Sequence, residues 1–153
     1  MVGDVKIVEL AEKVLENSEK ISKLSERVDR LLGDGGDVGL RVGLMLKDWF
    51  RRHAPEYEVF MWGGAGGDVL IEGRRVLAAV DIAVVPKVED VRQLKDGVGA
   101  VEEGWGKRPD LLIVYSQSGV VREDVARYAG ELGVFVVRRP ADVKRLMDEA
   151  SKE

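Results

Sequence analysis

Hydrophobic residues in the first part of the chain recur with a period of seven. Two series lie three residues apart, Ile7, Val14, Ile21, Val28 and Leu10, Asn17, Leu24, Leu31. β-Branched residues in the first series and leucines in the second favour a two-stranded parallel coiled coil, in which a buried Asn fixes the register. We therefore expect a coiled-coil arm over residues 1–33 and a homodimer formed through this N-terminal helix. The alternative is one amphipathic helix packed on its own domain.

The glycine-rich segment 33–37 separates the arm from a body in which helical and strand periods alternate. The predicted elements are a helix over 38–53, strands over 57–62, 68–72 and 76–85, a helix over 87–103, a strand over 111–115, a helix over 121–132, a strand over 134–137 and a helix over 141–150. The two later strands are continuous apolar runs, typical of strands buried on both faces. The order predicts an α/β domain over 38–153, with a mixed sheet flanked by helices.

The first helix of this body has hydrophobic residues that we expect to form its buried face. They are Leu40, Leu44, Leu46 (or Met45), Trp49 and Phe50. Ala54 and Pro55 end the helix, since proline cannot continue it. His53, the chain's single histidine, falls in the last turn, where a helix cap is a better interpretation than a ligand or a base.

The amino-acid composition of the chain limits the classes of function that are possible. The 153 residues can form one domain with a real core, and the absence of cysteine excludes disulfides and thiolate metal sites. Abundant Glu, Lys and Arg with few thermolabile residues suggest a thermophile's cytosol. The net charge of −4 gives no general attraction for nucleic acid. No apolar run is long enough for a membrane span, and the N-terminus lacks a signal-peptide pattern, so we expect a cytoplasmic protein.

Two acidic residues on the predicted hairpin are the strongest chemical candidates. Asp68 opens one strand, and Asp81 lies in the next, beyond the turn at Gly73. Carboxylates at adjacent strand ends can hold Mg²⁺, which prefers oxygen ligands and can activate water while stabilising charge on a phosphate. Residues two apart in a strand share a face, so the methyl group of Ala83 points where Asp81 points.

This arrangement, with the predicted order of helices and strands, resembles the PD-(D/E)XK (restriction-endonuclease-like) nuclease superfamily. The body is similar to uncharacterised archaeal proteins that carry a coiled coil ahead of such a domain, and the Gly-Lys-Arg-Pro-Asp before a buried strand also fits. The resemblance implies that Asp68 and Asp81 are catalytic residues and metal ligands, that Mg²⁺ is the cofactor and that DNA is a partner. It also implies a lysine two residues after the second acid, where this chain has Ala83.

Three interpretations of the missing lysine remain open. Lys87 could reach back from the next helix, which would leave an active Mg²⁺-dependent DNA endonuclease using Asp68, Asp81 and Lys87. Catalysis could be lost, which would leave a DNA-associated or assembly module with weak or no metal binding. The resemblance could also be spurious, which would leave a protein-interaction scaffold with no nucleic-acid role.

Other motifs are weaker candidates. The glycines of residues 63–67 resemble a phosphate-binding loop but lack its Lys-Ser/Thr ending, so a flexible turn is the preferred interpretation. Trp105, between two glycines, is expected to be the most exposed tryptophan and the one that could contact a ligand. Arg74 and Arg75 at the hairpin tip are interpreted as a solvated turn.

Overall fold

The computed structural model describes residues 18–19, 21–22 and 35–152. Two short strands, β1 (Ser18–Glu19) and β2 (Ile21–Ser22), pair in parallel. The rest of the heptad pattern lies outside the described residues, so the coiled coil and the homodimer stay predictions. The chain divides into two compact units, Met1–Arg41 and Val42–Glu153, and the second contains the five-stranded sheet.

The body has the predicted order of elements with one change. The helices are α1 (Gly35–His53), α2 (Val88–Asp96), α3 (Val98–Trp105), α4 (Glu123–Leu132) and α5 (Pro140–Ser151), and the strands are β3 (Glu58–Gly64), β4 (Gly67–Glu72), β5 (Leu77–Ala83), β6 (Leu111–Ser116) and β7 (Phe135–Val137). The change is that residues 87–103 form two helices, α2 and α3, instead of one. None of the helices in the described part of the chain is long and apolar enough to cross a membrane.

The five strands form a single mixed sheet in the order β3-β4-β5-β6-β7. The first three strands are antiparallel neighbours, and β5, β6 and β7 run parallel. An α/β fold with a mixed sheet between helices is therefore confirmed. Because β5, β6 and β7 are parallel, their carboxyl ends meet at one edge of the sheet, and each is followed there by a loop that leads into a helix.

The sheet has a hydrophobic layer on each face. On one face, Leu70, Ala79 and Val114 lie in a buried cluster with side chains of α2, α3 and α4. Strand alternation places Val69, Val80 and Ile113 on the other face, and all of them are fully buried. Both faces are thus covered, as the apolar strand sequences require.

The buried face of α1 differs from the expected one. Leu46 and Phe50 are fully buried, as predicted, and Val42 is also buried. These residues are four apart and therefore share one side of the helix. The predicted face was wrong for the leucines at positions 40 and 44, which are 52% and 50% exposed, because a two-residue offset turns about 200° around a helix.

Strand β7 is an edge strand and is less buried than its apolar sequence predicts. Its only partner among the described strands is β6, with Phe135 opposite Ile113. Phe135 is 44% exposed, whereas every residue of β6 is buried. The prediction of a strand buried on both faces is therefore confirmed for β6 and wrong for β7.

The glycine-rich turn between β3 and β4 packs closely on the junction of α2 and α3. A Cβ atom added to Gly97 would lie 2.3 Å from the backbone nitrogen of Gly66. The indole of Trp62 donates a hydrogen bond to the carbonyl of Ala65 within the same turn. Gly66 of this turn therefore packs against Gly97, where the two helices meet and no room is left for a side chain, whereas Gly63 and Ala65 are exposed.

We expect Gly97→Ala to lower the free energy of unfolding by about 1–3 kcal/mol, because the new methyl group would meet rigid backbone. Gly99→Ala, two residues away in α3, is the matched control, since a Cβ there meets nothing within 4 Å. The control should gain about 0.5–1 kcal/mol from reduced backbone entropy. Urea denaturation of both variants tests the contact, and equal stabilities would contradict it.

Candidate functional site

The pairing of β4 with β5 brings the two predicted acids together. Val69 lies opposite Val80, and one further step along the antiparallel register places Asp68 beside Asp81. The backbone amide of Ile82 donates a 2.8 Å hydrogen bond to the Asp68 carboxylate. Both acids are on the sheet face that α2 covers, at the end where β5 approaches its carboxyl terminus. The predicted juxtaposition of these acids is therefore present.

The Asp68 carboxyl group is the neighbour that acts on Asp81 through both its charge and a hydrogen bond. Burial of the carboxyl group raises the pKa of Asp81 well above its ordinary value of 3.8. The negative charges of Asp68 and Asp90 raise the pKa further, and so does the hydrogen bond with Asp68. All of these influences favour the protonated form of Asp81 over the ionised form.

Small side chains surround the position at which the resemblance implies a lysine. Ala83 is partly buried and lies opposite Ser116 of β6. Ser116 is fully buried, and its hydroxyl donates to the carbonyl of Val120 and accepts from the amide of Gly119. Neither Ala83 nor Ser116 supplies a positive charge next to Asp81.

Lys87 lies at the N-cap of α2, where its side chain is exposed. Its backbone amide donates a 2.8 Å hydrogen bond to Asp90, which is the third residue of the helix. Within residues 35–152, the ion pairs of the structure do not include Lys87. Lys87 thus has a structural role through its backbone.

Asp90 is the residue near this site that the sequence interpretation missed. It lies in the first turn of α2, and its negative charge contributes to the raised pKa of Asp81. The sequence does place Asp90 three residues after the start of a predicted helix, where the acidic residue of a capping box stands. In the part of the chain that the structure describes, no group of three His, Cys, Asp or Glu side chains has a geometry suited to a metal ion.

The aromatic candidates have structural partners. The ring of Trp105 packs 4.9 Å from that of Phe60 and 6.2 Å from that of Trp62, and Trp105 is half-buried, as Trp49 and Trp62 are. His53 stacks on Trp49 at 4.5 Å and forms a 3.0 Å hydrogen bond with the Trp49 carbonyl. The ring of His53 therefore occupies the end of α1, as a capping residue does.

Comparison with known proteins gives no match to a protein-family profile, a curated protein or a solved structure. A proposal for the function therefore rests on the chemistry of the acid pair and its neighbours.

The raised pKa of Asp81 should make the stability of the protein depend on pH. A carboxyl whose pKa is raised in the folded state binds its proton more tightly there, so stability is full below the ordinary pKa and falls as pH rises through the folded pKa. Asp81→Asn keeps the shape and the donor without the ionisation. We expect this variant to gain about 1–3 kcal/mol at neutral pH and nothing near pH 4.

Chemical denaturation at both pH values, in buffer with a chelator, measures this difference. Asp96→Asn, a neutralised exposed acid at the end of α2, is the control for a general effect of charge. A destabilised Asp81→Asn protein at neutral pH would contradict the raised pKa, because it would show that the ionised form of Asp81 stabilises the fold.

Proposed function

We propose that the body is a catalytically impaired nuclease-like domain of the restriction-endonuclease-like type, which acts as a DNA-associated or assembly module. The observation that carries the proposal is the pairing of Asp68 with Asp81 on adjacent strands, with Ala83 on the same face of β5. The order of elements around the mixed sheet supports it, because it is the order that the resemblance implies. The N-terminal arm would dimerise the module.

A resident Mg²⁺ ion fits this pair poorly. Two adjacent carboxyl groups are the right kind of donor, because Mg²⁺ prefers oxygen ligands. However, burial and the negative charges of Asp68 and Asp90 disfavour an ionised Asp81, and a bound ion would have to offset these effects. Without a lysine at position 83, the side chains that raise the pKa of Asp81 are not offset by a neighbouring cation on β5. These properties support a module that binds Mg²⁺ weakly or not at all.

The active endonuclease using Asp68, Asp81 and Lys87 is the second candidate. It is less well supported, because Lys87 is exposed and its backbone is held by Asp90. A protein-interaction scaffold without a nucleic-acid role is the third candidate, and the net charge of −4 is the property in its favour. The three candidates differ in metal-dependent cleavage of DNA. The endonuclease cleaves without any change, the impaired domain can regain cleavage, and the scaffold does neither.

Introducing the missing lysine tests the main proposal. In Ala83→Lys the new side chain leaves β5 on the face of Asp81, and the acids are already oriented by the hairpin. We expect a weak metal-dependent cleavage of DNA that the unaltered protein lacks. Supercoiled plasmid with Mg²⁺ or Mn²⁺ is a sensitive substrate, since one cut changes its mobility.

The matched control is Asp68→Ala in the Ala83→Lys background, which should abolish any cleavage. Because a lysine in partly apolar surroundings can destabilise the sheet, the free energy of unfolding of each variant is measured as well. A folded Ala83→Lys protein that neither cleaves DNA nor binds metal would favour the scaffold. Cleavage by the unaltered chain would favour the endonuclease instead.

A further inference from the structure

The two edge strands of the five-stranded sheet differ in how they are protected against further pairing. Strand β7 has only three residues, Phe135–Val137, and two exposed arginines follow it directly. Short length and neighbouring charge are two of the devices by which natural edge strands avoid new partners. Strand β3 extends over seven residues, Glu58–Gly64, and contains no proline, lysine or arginine. The β3 edge therefore lacks both devices.

The outer side of β3 presents backbone groups that are open to pairing. Among the strands of residues 35–152, its only partner is β4. The pairing with β4 is regular from Glu58 to Met61, and the shift in register comes after Met61. Along a strand, alternate residues direct their amide and carbonyl groups to opposite sides, so half of these groups point away from β4. The regular part of β3 is therefore a template for one more strand.

Apolar side chains flank the β3 edge on both faces of the sheet. On the face that α1 covers, Met61 is 39% exposed, and a Cβ atom added to Gly43 would lie 2.7 Å from its terminal methyl group. Strand alternation directs Phe60 and Trp62 to the other face, where both rings pack on Trp105 and all three are half-buried. A strand added to β3 would therefore cover apolar surface on both faces as well as pair with the backbone.

The small size of this edge indicates which partner it can hold. Four regular residues span roughly 13 Å, and such a contact is much smaller than the about 800 Å² that each partner buries in a stable complex. A free protein would therefore be held only weakly. A second copy of the chain differs, because the heptad segment 1–33 precedes α1 and is predicted to join two chains. Tethering of this kind gives an effective concentration on the order of millimolar, at which a small contact forms.

We propose that the β3 edges of two copies pair in antiparallel fashion, so that the sheets of both bodies become one continuous sheet across a two-fold axis. A pairing centred on Phe60 places this residue opposite its counterpart on one face and Val59 opposite Met61 of the second copy on the other. Aromatic and aliphatic pairs of this kind stabilise neighbouring strands. The inference rests on the assembly role in the proposed function and assigns that role to a surface of the body.

Cross-linking of the full chain tests the pairing, because the sequence has no cysteine and an introduced one is unique. Met61→Cys places a thiol on the β3 edge, and Phe135→Cys, at a position that is 44% exposed on the β7 edge, is the matched control. Each variant is treated with a bifunctional maleimide that spans about 8 Å, the diagonal distance across paired strands. We expect Met61→Cys to form a covalent dimer about tenfold faster than Phe135→Cys does.

A charge at the same position tests the contribution of the edge to assembly. Met61→Lys would bring two ammonium groups near the new strand pair, whereas Phe135→Lys adds the same charge to the opposite edge. Sedimentation equilibrium should show a dimer dissociation constant that Met61→Lys raises about tenfold and Phe135→Lys less than about twofold. Circular dichroism checks that each variant is folded, and the cross-linking result does not depend on the lysine variants.

The outcomes separate this inference from the proposed function. Selective cross-linking at position 61 supports the paired edge. Equal rates at both positions, or a folded Met61→Lys protein with an unaltered dissociation constant, would overturn the edge and leave dimerisation through the arm standing. A monomeric full chain would overturn both the edge and the arm. Failure of Ala83→Lys to cleave DNA would count against the nuclease-like site alone, because the acid pair is not part of the β3 edge.

Discussion

The antiparallel register between β4 and β5 is the constraint on which the candidate site depends. Val69 opposite Val80 sets the position of Asp68 beside Asp81 and also directs Leu70 into the core under α2. A shift of β4 by one residue would turn Asp68 to the other face, away from Asp81, and would expose hydrophobic side chains of that strand. The packing that stabilises the sheet therefore also holds the two acidic side chains next to each other.

Proximity of the two acids favours the protonated form of Asp81. Burial of its carboxyl group and the negative charges of Asp68 and Asp90 all raise the pKa of Asp81. The Ile82 amide donates a hydrogen bond to the Asp68 carboxylate and so satisfies one acceptor of the pair.

Alternation along the strands was sufficient to predict much of this arrangement. The order of elements follows from local periods, and the Asp68–Asp81 contact follows from a hairpin turn at Gly73 together with two-residue alternation. The break at Gly97 could not be predicted in this way, because it depends on contact with Gly66, in a turn that is distant in the sequence. The exposure of Phe135 depends on the strand order, which places β7 at the edge.

It was harder to predict which side chains of an element are buried and which neighbours they affect. Helix α1 has two hydrophobic stripes, and only packing against the sheet decides that Leu46 is buried while Leu44 is exposed. The influence of Asp90 could not be recognised from the sequence, because an acid in the first turn of a helix already has an ordinary explanation as a cap. Its effect on Asp81 arises from the way α2 folds back over β5, which no local pattern describes.

Calorimetric titration of Mg²⁺ and Mn²⁺ into the full chain tests the central claim most directly, which is that the acid pair persists without a resident metal. Weak binding or none is expected, with no difference between the unaltered protein and Asp68→Ala. Micromolar binding of either ion that is abolished by Asp68→Ala would contradict the claim, because it would show a working metal site that has no need of the missing lysine.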